Sequence, residues 1–219
     1  MDVIHTQSAE DIFDAISYGK GASWLNQSFR LFGREVFTRG LSTYFQEFAF
    51  KNSTLEDFIR HLHQASQELN LKVDIRAWSD TWLKTAGCNE IWHEIEEQDG
   101  KITKFTSHQS VWKHGEGNRL RHQIYQVALL DQDMKVTQIV NIETSDSQET
   151  VEVTELIGQP AAFAYFINYQ SFGFAKFRFD DKSLAAFTNH LSKIEDSLSR
   201  KQVFNILYDM LKENYISGA

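Results

Sequence analysis

The sequence predicts an α+β multidomain chain: an α-helical part, then an antiparallel β-sandwich, then C-terminal α-helices. Three observations predict it. Apolar residues recur at helical spacing over residues 16–85, the period changes to two over residues 89–179, and helical spacing resumes from Asp181. The expected domains are residues 1–87, 88–180 and 181–219.

In the first part, Leu25, Phe29 and Phe32 share one helical face, and Gly33 ends that helix. Val36, Phe37, Leu41, Tyr44, Phe45 and Phe48 build the next, which predicts an antiparallel helical pair. Ser53-Thr54-Leu55-Glu56 has capping-box spacing, with Ser53 as the cap and Glu56 reaching back. Leu55, Phe58, Ile59 and Leu62 then recur at 3.6 spacing. A fourth helix is expected from about Asp74, carrying Ile75, Trp78, Trp82 and Leu83 and ending at Gly87.

In the second part, Ile91, His93 and Ile95 alternate with Trp92, Glu94 and Glu96, and Gln98-Asp99-Gly100 supplies a turn into residues 101–105. Five more strands are expected at residues 120–130, 135–143, 150–156, 162–169 and 174–179. Seven short strands with polar turns between them indicate a sandwich. Leu184, Phe187, Leu191 and Ile194 then mark one helix, and Val203, Ile206, Leu207, Met210 and Leu211 another. No internal repeat, linker or low-complexity tract interrupts the chain.

Composition narrows the function classes. The 219 residues carry 22 Lys plus Arg against 30 Asp plus Glu, a net charge of −8, which argues against nucleic acid or an anionic membrane as the main partner. The longest unbroken apolar run, residues 161–167, is far short of the ~20 residues of a membrane span. No Lys or Arg precedes Lys20, so no signal peptide is expected. The single cysteine, Cys88, excludes an internal disulfide and a multi-cysteine zinc site, and it points to a reducing, cytoplasmic setting.

Motifs for chemistry are scarce. His61 and His63 are two apart on a helix and face different sides, while His108, His114 and His122 are scattered through strand and loop, so the histidines are read as surface or hydrogen-bonded residues. His93-Glu94-Ile95-Glu96-Glu97 misses the zinc-protease H-E-x-x-H by its last residue, and in an alternating segment it reads as a solvated strand face. Ser17-Tyr18-Gly19-Lys20-Gly21-Ala22-Ser23 lacks phosphate-loop spacing and has no preceding strand. Cys88 has no nucleophile signature around it and reads as structural.

The stretch from Ile12-Phe13-Asp14-Ala15-Ile16-Ser17-Tyr18-Gly19 into Lys20-Gly21-Ala22-Ser23 resembles the Ile-x-Tyr-x-Lys-Gly-Ala-Ser segment of the gluzincin zinc aminopeptidases of the alanyl and puromycin-sensitive type. Later segments are similar to theirs in the same order. Gly33-Arg34-Glu35-Val36-Phe37 with Gly40-Leu41 and Tyr44-Phe45 resembles their next helix, and Asn52-Ser53-Thr54-Leu55-Glu56-Asp57-Phe58 resembles the helix cap after it. Residues 77–87 resemble the end of their catalytic domain. Asn168, Lys176, Asp180, Ser183-Leu184, residues 191–196, Arg200 and Asp209-Met210 resemble the passage from their β-sandwich into a C-terminal helical domain.

The resemblance implies a thermolysin-like catalytic domain ending within residues 1–87 and identifies Tyr18 with the family's catalytic tyrosine. In that family its hydroxyl stabilises the oxyanion formed when zinc-bound water attacks a peptide carbonyl. On its own, Tyr18 reads as a core tyrosine. Gly19, Phe174 and His122-Gln123 depart from the family pattern without touching chemistry. The family's H-E-x-x-H does not occur in this chain, so no zinc ligand carries over and no cofactor-binding residue is assigned.

The implied function is a fragment of a zinc-dependent aminopeptidase that hydrolyses N-terminal residues from peptides. Zinc belongs to the parent enzyme and none is expected on this chain, which is expected to be inactive alone. Expected partners are a peptide substrate in the parent, and either the rest of an aminopeptidase or a second copy. Those would meet apolar faces at Trp24, Phe29 and Phe45, and at Leu184, Phe187, Leu191, Val203, Leu207 and Met210. The alternative is a naturally short, non-catalytic relative acting as a binding or scaffold subunit, and a reading frame continuing upstream into H-E-x-x-H would discriminate the two.

Overall fold

A computed structural model describes residues 16–113, 117 and 119–217 of the chain. It divides into two compact units, residues 1–82 and 83–219.

The first unit is helical. A π-helical turn, Ile16–Lys20, leads into α1, Gly21–Glu47, followed by α2, Leu55–Glu68, and α3, Ile75–Leu83. Gly33 interrupts α1 with φ 82° and ψ 158°, a conformation open essentially to glycine alone, so the expected break falls where the sequence put it. Phe32, just before the break, is buried edge-on against Trp78 at 5.0 Å between ring centroids. Trp24 packs at a tilt on the same Trp78 at 5.9 Å and meets Phe58 of α2 at 6.0 Å. Gly40 lets α1 and α2 approach closely, since a Cβ there would lie 2.7 Å from Leu62 Cδ2 and 3.0 Å from Leu62 Cα.

The cap of α2 sits one residue later than the sequence reading placed it. Thr54, in extended conformation, accepts from the Asp57 backbone N–H, and the Asp57 carboxylate accepts from the Thr54 backbone N–H. Thr-x-x-Asp satisfies the same reciprocal geometry as Ser-x-x-Glu, and Ser53 hydrogen-bonds the Tyr44 hydroxyl instead. Asp74 caps α3 by accepting from the N–H groups of Arg76 and Ala77. That helix closes at Leu83, four residues before Gly87.

Among its described residues, the second unit holds seven strands and two helices. The strands are β1 (Asn89–Gln98), β2 (Lys101–Val111), β3 (Ile124–Leu130), β4 (Val136–Glu143), β5 (Thr150–Glu152), β6 (Ala164–Ile167) and β7 (Ala175–Phe177). One sheet has the order β5-β2-β1-β7 and the other β4-β3-β6. The β1–β2 hairpin pairs Gln98 with Lys101, and Asp99 and Gly100 take φ of 52° and 71°, the two positive values a tight hairpin turn requires. Of the pairings between these strands, all are antiparallel but one: β7 runs parallel to β1 at the sheet edge, Asn89 opposite Ala175. Several strands are shorter than their apolar pattern. Residues 121–123 fall outside β3, where the Arg121 and Gln123 side chains hydrogen-bond Ala86 and Gln109, and a 3₁₀ turn at Thr154–Leu156 follows the short β5.

The two sheets share one core. Phe105 meets Tyr165 at 5.6 Å, and Tyr125 meets Phe177 at 5.5 Å. Helix α4, Asp181–His190, and α5, Ser197–Lys212, begin at Asp180 and Asp196, whose carboxylates accept from Ser183 and Ser199 N–H. Phe187 inserts between Phe166 and Phe179, and Val203, Ile206 and Met210 are buried in the same cluster. This corrects the sequence reading of these helices, because Phe187, Val203 and Met210 lie inside. The exposed apolar residues of α5 are Leu198, Phe204, Tyr208 and Leu211. No helix of the described residues is long and apolar enough to cross a membrane.

Candidate functional site

Tyr18 lies in the π-helical turn that opens α1, and its side chain is 63% exposed, so it is not the core residue that its aromatic character alone suggests. Wide turns of this kind are rare and tend to mark functional positions. A Cβ added at Gly19 or Gly21, in and just after this turn, would meet nothing within 4 Å among the described residues. Leu25 and Phe29, one turn apart on the adjoining helix, are also exposed. Trp24, on the other side, is buried in the aromatic cluster of its own unit and so is not left for a partner, while Phe45 is exposed. Residues 12–15 of the motif lie outside the described residues.

The histidines do not converge. Among the described residues no group of three or more His, Cys, Asp or Glu side chains could hold a metal ion. His61 is buried, with Nδ1 on the Thr43 hydroxyl and Nε2 3.1 Å from the Glu47 carboxylate, so it ties α1 to α2. His122 pairs with Glu143 and His108 with Glu94, while His114 lies outside the described residues. Cys88 is half-buried, and burial pushes its thiol pKa up, the opposite of an activated nucleophile.

His93 is a correction. The structure buries it, because it shares strand parity with Ile91 and Ile95, while Glu94, Glu96 and Glu97 of the same stretch are exposed. Its Nε2 lies 2.8 Å from the Tyr125 hydroxyl, which lies 2.7 Å from the Ser107 hydroxyl. Burial, with a smaller contribution from the charge of His108, pushes the His93 pKa down to about 3, and burial drives that of Tyr125 above its ordinary value. The ring is therefore neutral, and its Nε2 shares a hydrogen bond with the Tyr125 hydroxyl. The alternation that defined β1 carried this signal, and the near miss to a zinc motif obscured it.

Two further clusters had no sequence signal. Arg121 is buried with no carboxylate of the described residues on its guanidinium, which donates to the carbonyl of Ala86 and the hydroxyl of Thr85, each at 3.0 Å. Arg178 lies between Tyr215, at 4.2 Å, and Trp92, at 4.4 Å, with His108 stacked on the far face of Trp92.

Residues 1–82 match the family model of the Peptidase family M1 domain. Over 208 residues, 92% of this chain and 24% of the relative, the sequence is 34% identical to Aminopeptidase N of Streptomyces lividans. The chain belongs to the M1 aminopeptidase family. Aminopeptidase M1-C of Oryza sativa subsp. japonica is 26% identical over 206 residues, 90% of this chain and 22% of the relative. Aminopeptidase 2, mitochondrial, of Saccharomyces cerevisiae is 39% identical over 92 residues, 42% of this chain and 9% of the relative. The fold is similar to a solved structure of Legionella pneumophila aminopeptidase A in complex with aspartic acid, with a TM-score of 0.60 at 15% identity, covering 95% of this chain and 23% of that one. This M1-family chain thus spans about a quarter of the length of the longer relatives it matches from end to end. The order of a helical part, a sandwich and further helices is the order expected of an aminopeptidase segment.

Proposed function

We propose that this chain is part of a zinc-dependent aminopeptidase that removes N-terminal residues from peptides, and that its contribution to the chemistry is the Tyr18 hydroxyl. One observation carries the reading. Tyr18 sits exposed on a π-helical turn inside the stretch that matches the M1 domain. A phenol O–H held on a helix can donate one hydrogen bond to a peptide carbonyl oxygen as negative charge develops there, which lowers the barrier without acid or base chemistry of its own.

M1 aminopeptidases are zinc enzymes, and zinc supplies the activated water of peptide hydrolysis when bound. The described residues do not fit that ion. No three ligating side chains converge among them, and the sequence contains no H-E-x-x-H. The role proposed for this chain therefore stops at the oxyanion donor. The exposed Leu25, Phe29 and Phe45, together with Leu198, Phe204 and Tyr208, are the surfaces that the remainder of such an enzyme would cover.

The deciding experiment is Tyr18→Phe in the full-length enzyme that carries this segment. Loss of an oxyanion donor should lower kcat by about 10²–10³ with KM changed less than about threefold. An unchanged kcat would assign Tyr18 to packing and remove the catalytic reading.

A further inference from the structure

An open sheet ends in strands whose outer N–H and C=O groups lack a neighbour, and proteins shorten or cover such edges. Three of the four edges in the second unit are managed in this way. β5 has three residues, the Tyr165 N–H of β6 donates to the Ser183 hydroxyl of α4, and β7 is tied to α5 by the Lys176–Asp209 pair. The fourth edge is β4. It is eight residues long, stands last in its sheet, and has no strand on its outer side among the described residues.

One bond fixes which way its backbone groups point. Thr144 donates its N–H to the Gln123 carbonyl, so Ile142, Val140 and Gln138, at every second position, also face β3. The N–H and C=O groups of Ile139, Asn141 and Glu143 therefore point outward, and none has a partner among the described residues. Val136 and Ile139 are 39% and 44% exposed, and no proline or charge stands between Lys135 and Glu143 to discourage pairing. The register shift of the β3–β4 ladder, between Leu129 and Leu130, lies before residues 138–143, which run regular.

We infer that the β4 edge is a self-association surface, which pairs antiparallel with β4 of a second copy about a two-fold axis at Ile139. Charge selects this occupant. Lys135, exposed and in no ion pair among the described residues, and Glu143 stand at opposite ends of the strand, so an antiparallel copy brings unlike ends together. Charge also selects the register. An axis at Gln138 would set Glu143 against Asp133 of the second copy, and one at Val140 would set Lys135 against Ser145. The axis at Ile139 sets Glu143, whose Oε1 meets His122, against Lys135 of the second copy, and brings the two exposed Ile139 side chains together. Two short strands make a small contact, so the pairing is weak, with a Kd of about 0.1 mM. It does not depend on the peptidase reading.

The test follows backbone amide exchange in the full chain by NMR at about 0.01 mM and about 1 mM, on either side of that Kd. By mass action the Ile139 and Asn141 amides should exchange about fourfold more slowly at the higher concentration. Those of Val140 and Ile142, already bonded to β3, should not change. Lys135→Glu and Glu143→Lys should each remove the slowing, and the double reversal should restore it. Both positions are exposed, and unchanged exchange in β1 shows that the fold is kept. Ile139→Lys, which sets two cations on the axis, should remove the slowing in the wild type and in the double reversal alike. The inference is overturned by exchange at Ile139 and Asn141 that is independent of concentration, or by slowing that survives a single reversal. A double reversal that fails to restore the slowing, or a concentration dependence confined to Phe204, Tyr208 and Leu211 of α5, overturns it equally.

Discussion

Acidification should destabilise the β-sandwich unit through His93. The ring is buried and neutral, with its pKa pushed down to about 3 from an ordinary 6.5, so between those two values the unfolded chain binds a proton that the folded chain refuses. Stability is therefore fully present above pH 6.5 and is lost as the pH falls toward 3, at up to about 1.4 kcal/mol per pH unit. Two pH units below the unfolded value, at pH 4.5, the loss is about 2–3 kcal/mol, a large part of an ordinary domain's margin. Asp180 works in the opposite direction. Burial raises its pKa, so its contribution is favourable at low pH and fades as pH rises. The clean quantity is therefore the difference between wild type and His93→Gln, whose amide keeps a hydrogen-bond partner for the Tyr125 hydroxyl but cannot titrate. Hydrogen exchange at the β1 and β2 amides in urea, at pH 7.0 and pH 4.5, measures the stability of this unit separately from that of residues 1–82. Wild type should lose about 2–3 kcal/mol relative to the variant between the two pH values. A difference constant to within about 0.5 kcal/mol would mean that His93 either takes a proton in the folded state or is solvated, and the buried-imidazole argument would fail.

Gly40→Ala should destabilise the first unit by about 1–3 kcal/mol, because the added methyl meets both Leu62 Cδ2 and the less yielding Leu62 Cα. Gly21→Ala, where a Cβ meets nothing, should be neutral or slightly stabilising, and thermal unfolding of both variants checks the contrast. The chain alone should neither bind zinc at micromolar affinity nor hydrolyse leucyl and alanyl anilides, since a catalytic zinc needs three protein ligands. Calorimetry and a turnover assay check this, and stoichiometric zinc with turnover would show that the family's missing ligands are replaced from within.

Periodicity made the fold legible, and local chemistry blurred its edges. The helical spacing of residues 16–85, the break at Gly33 and the Asp99-Gly100 turn are consequences of single-residue steric rules, and each appears where those rules place it. Strand ends failed for a different reason. The apolar pattern of residues 120–130 cannot show that the Arg121 guanidinium folds back onto Thr85 and Ala86, which are 36 and 35 positions away in sequence. Nor can alternation show that β7 closes its sheet edge in parallel.

The candidate site divides along the same line. Tyr18 is legible only as a motif, because exposure on a π-turn has no periodic signature, whereas the burial of His93 was written in its parity with Ile91 and Ile95. Motif and parity disagreed at His93, and parity won because burying an imidazole between two isoleucine positions is fixed by the pleat, whatever residue types happen to stand beside it. The same priority bears on Tyr18. No packing rule demands an exposed tyrosine there, but Phe45 and Phe50 of the same unit are exposed as well, so exposure alone does not single out Tyr18, and the proposed catalytic role rests on the motif and on the Tyr18→Phe experiment.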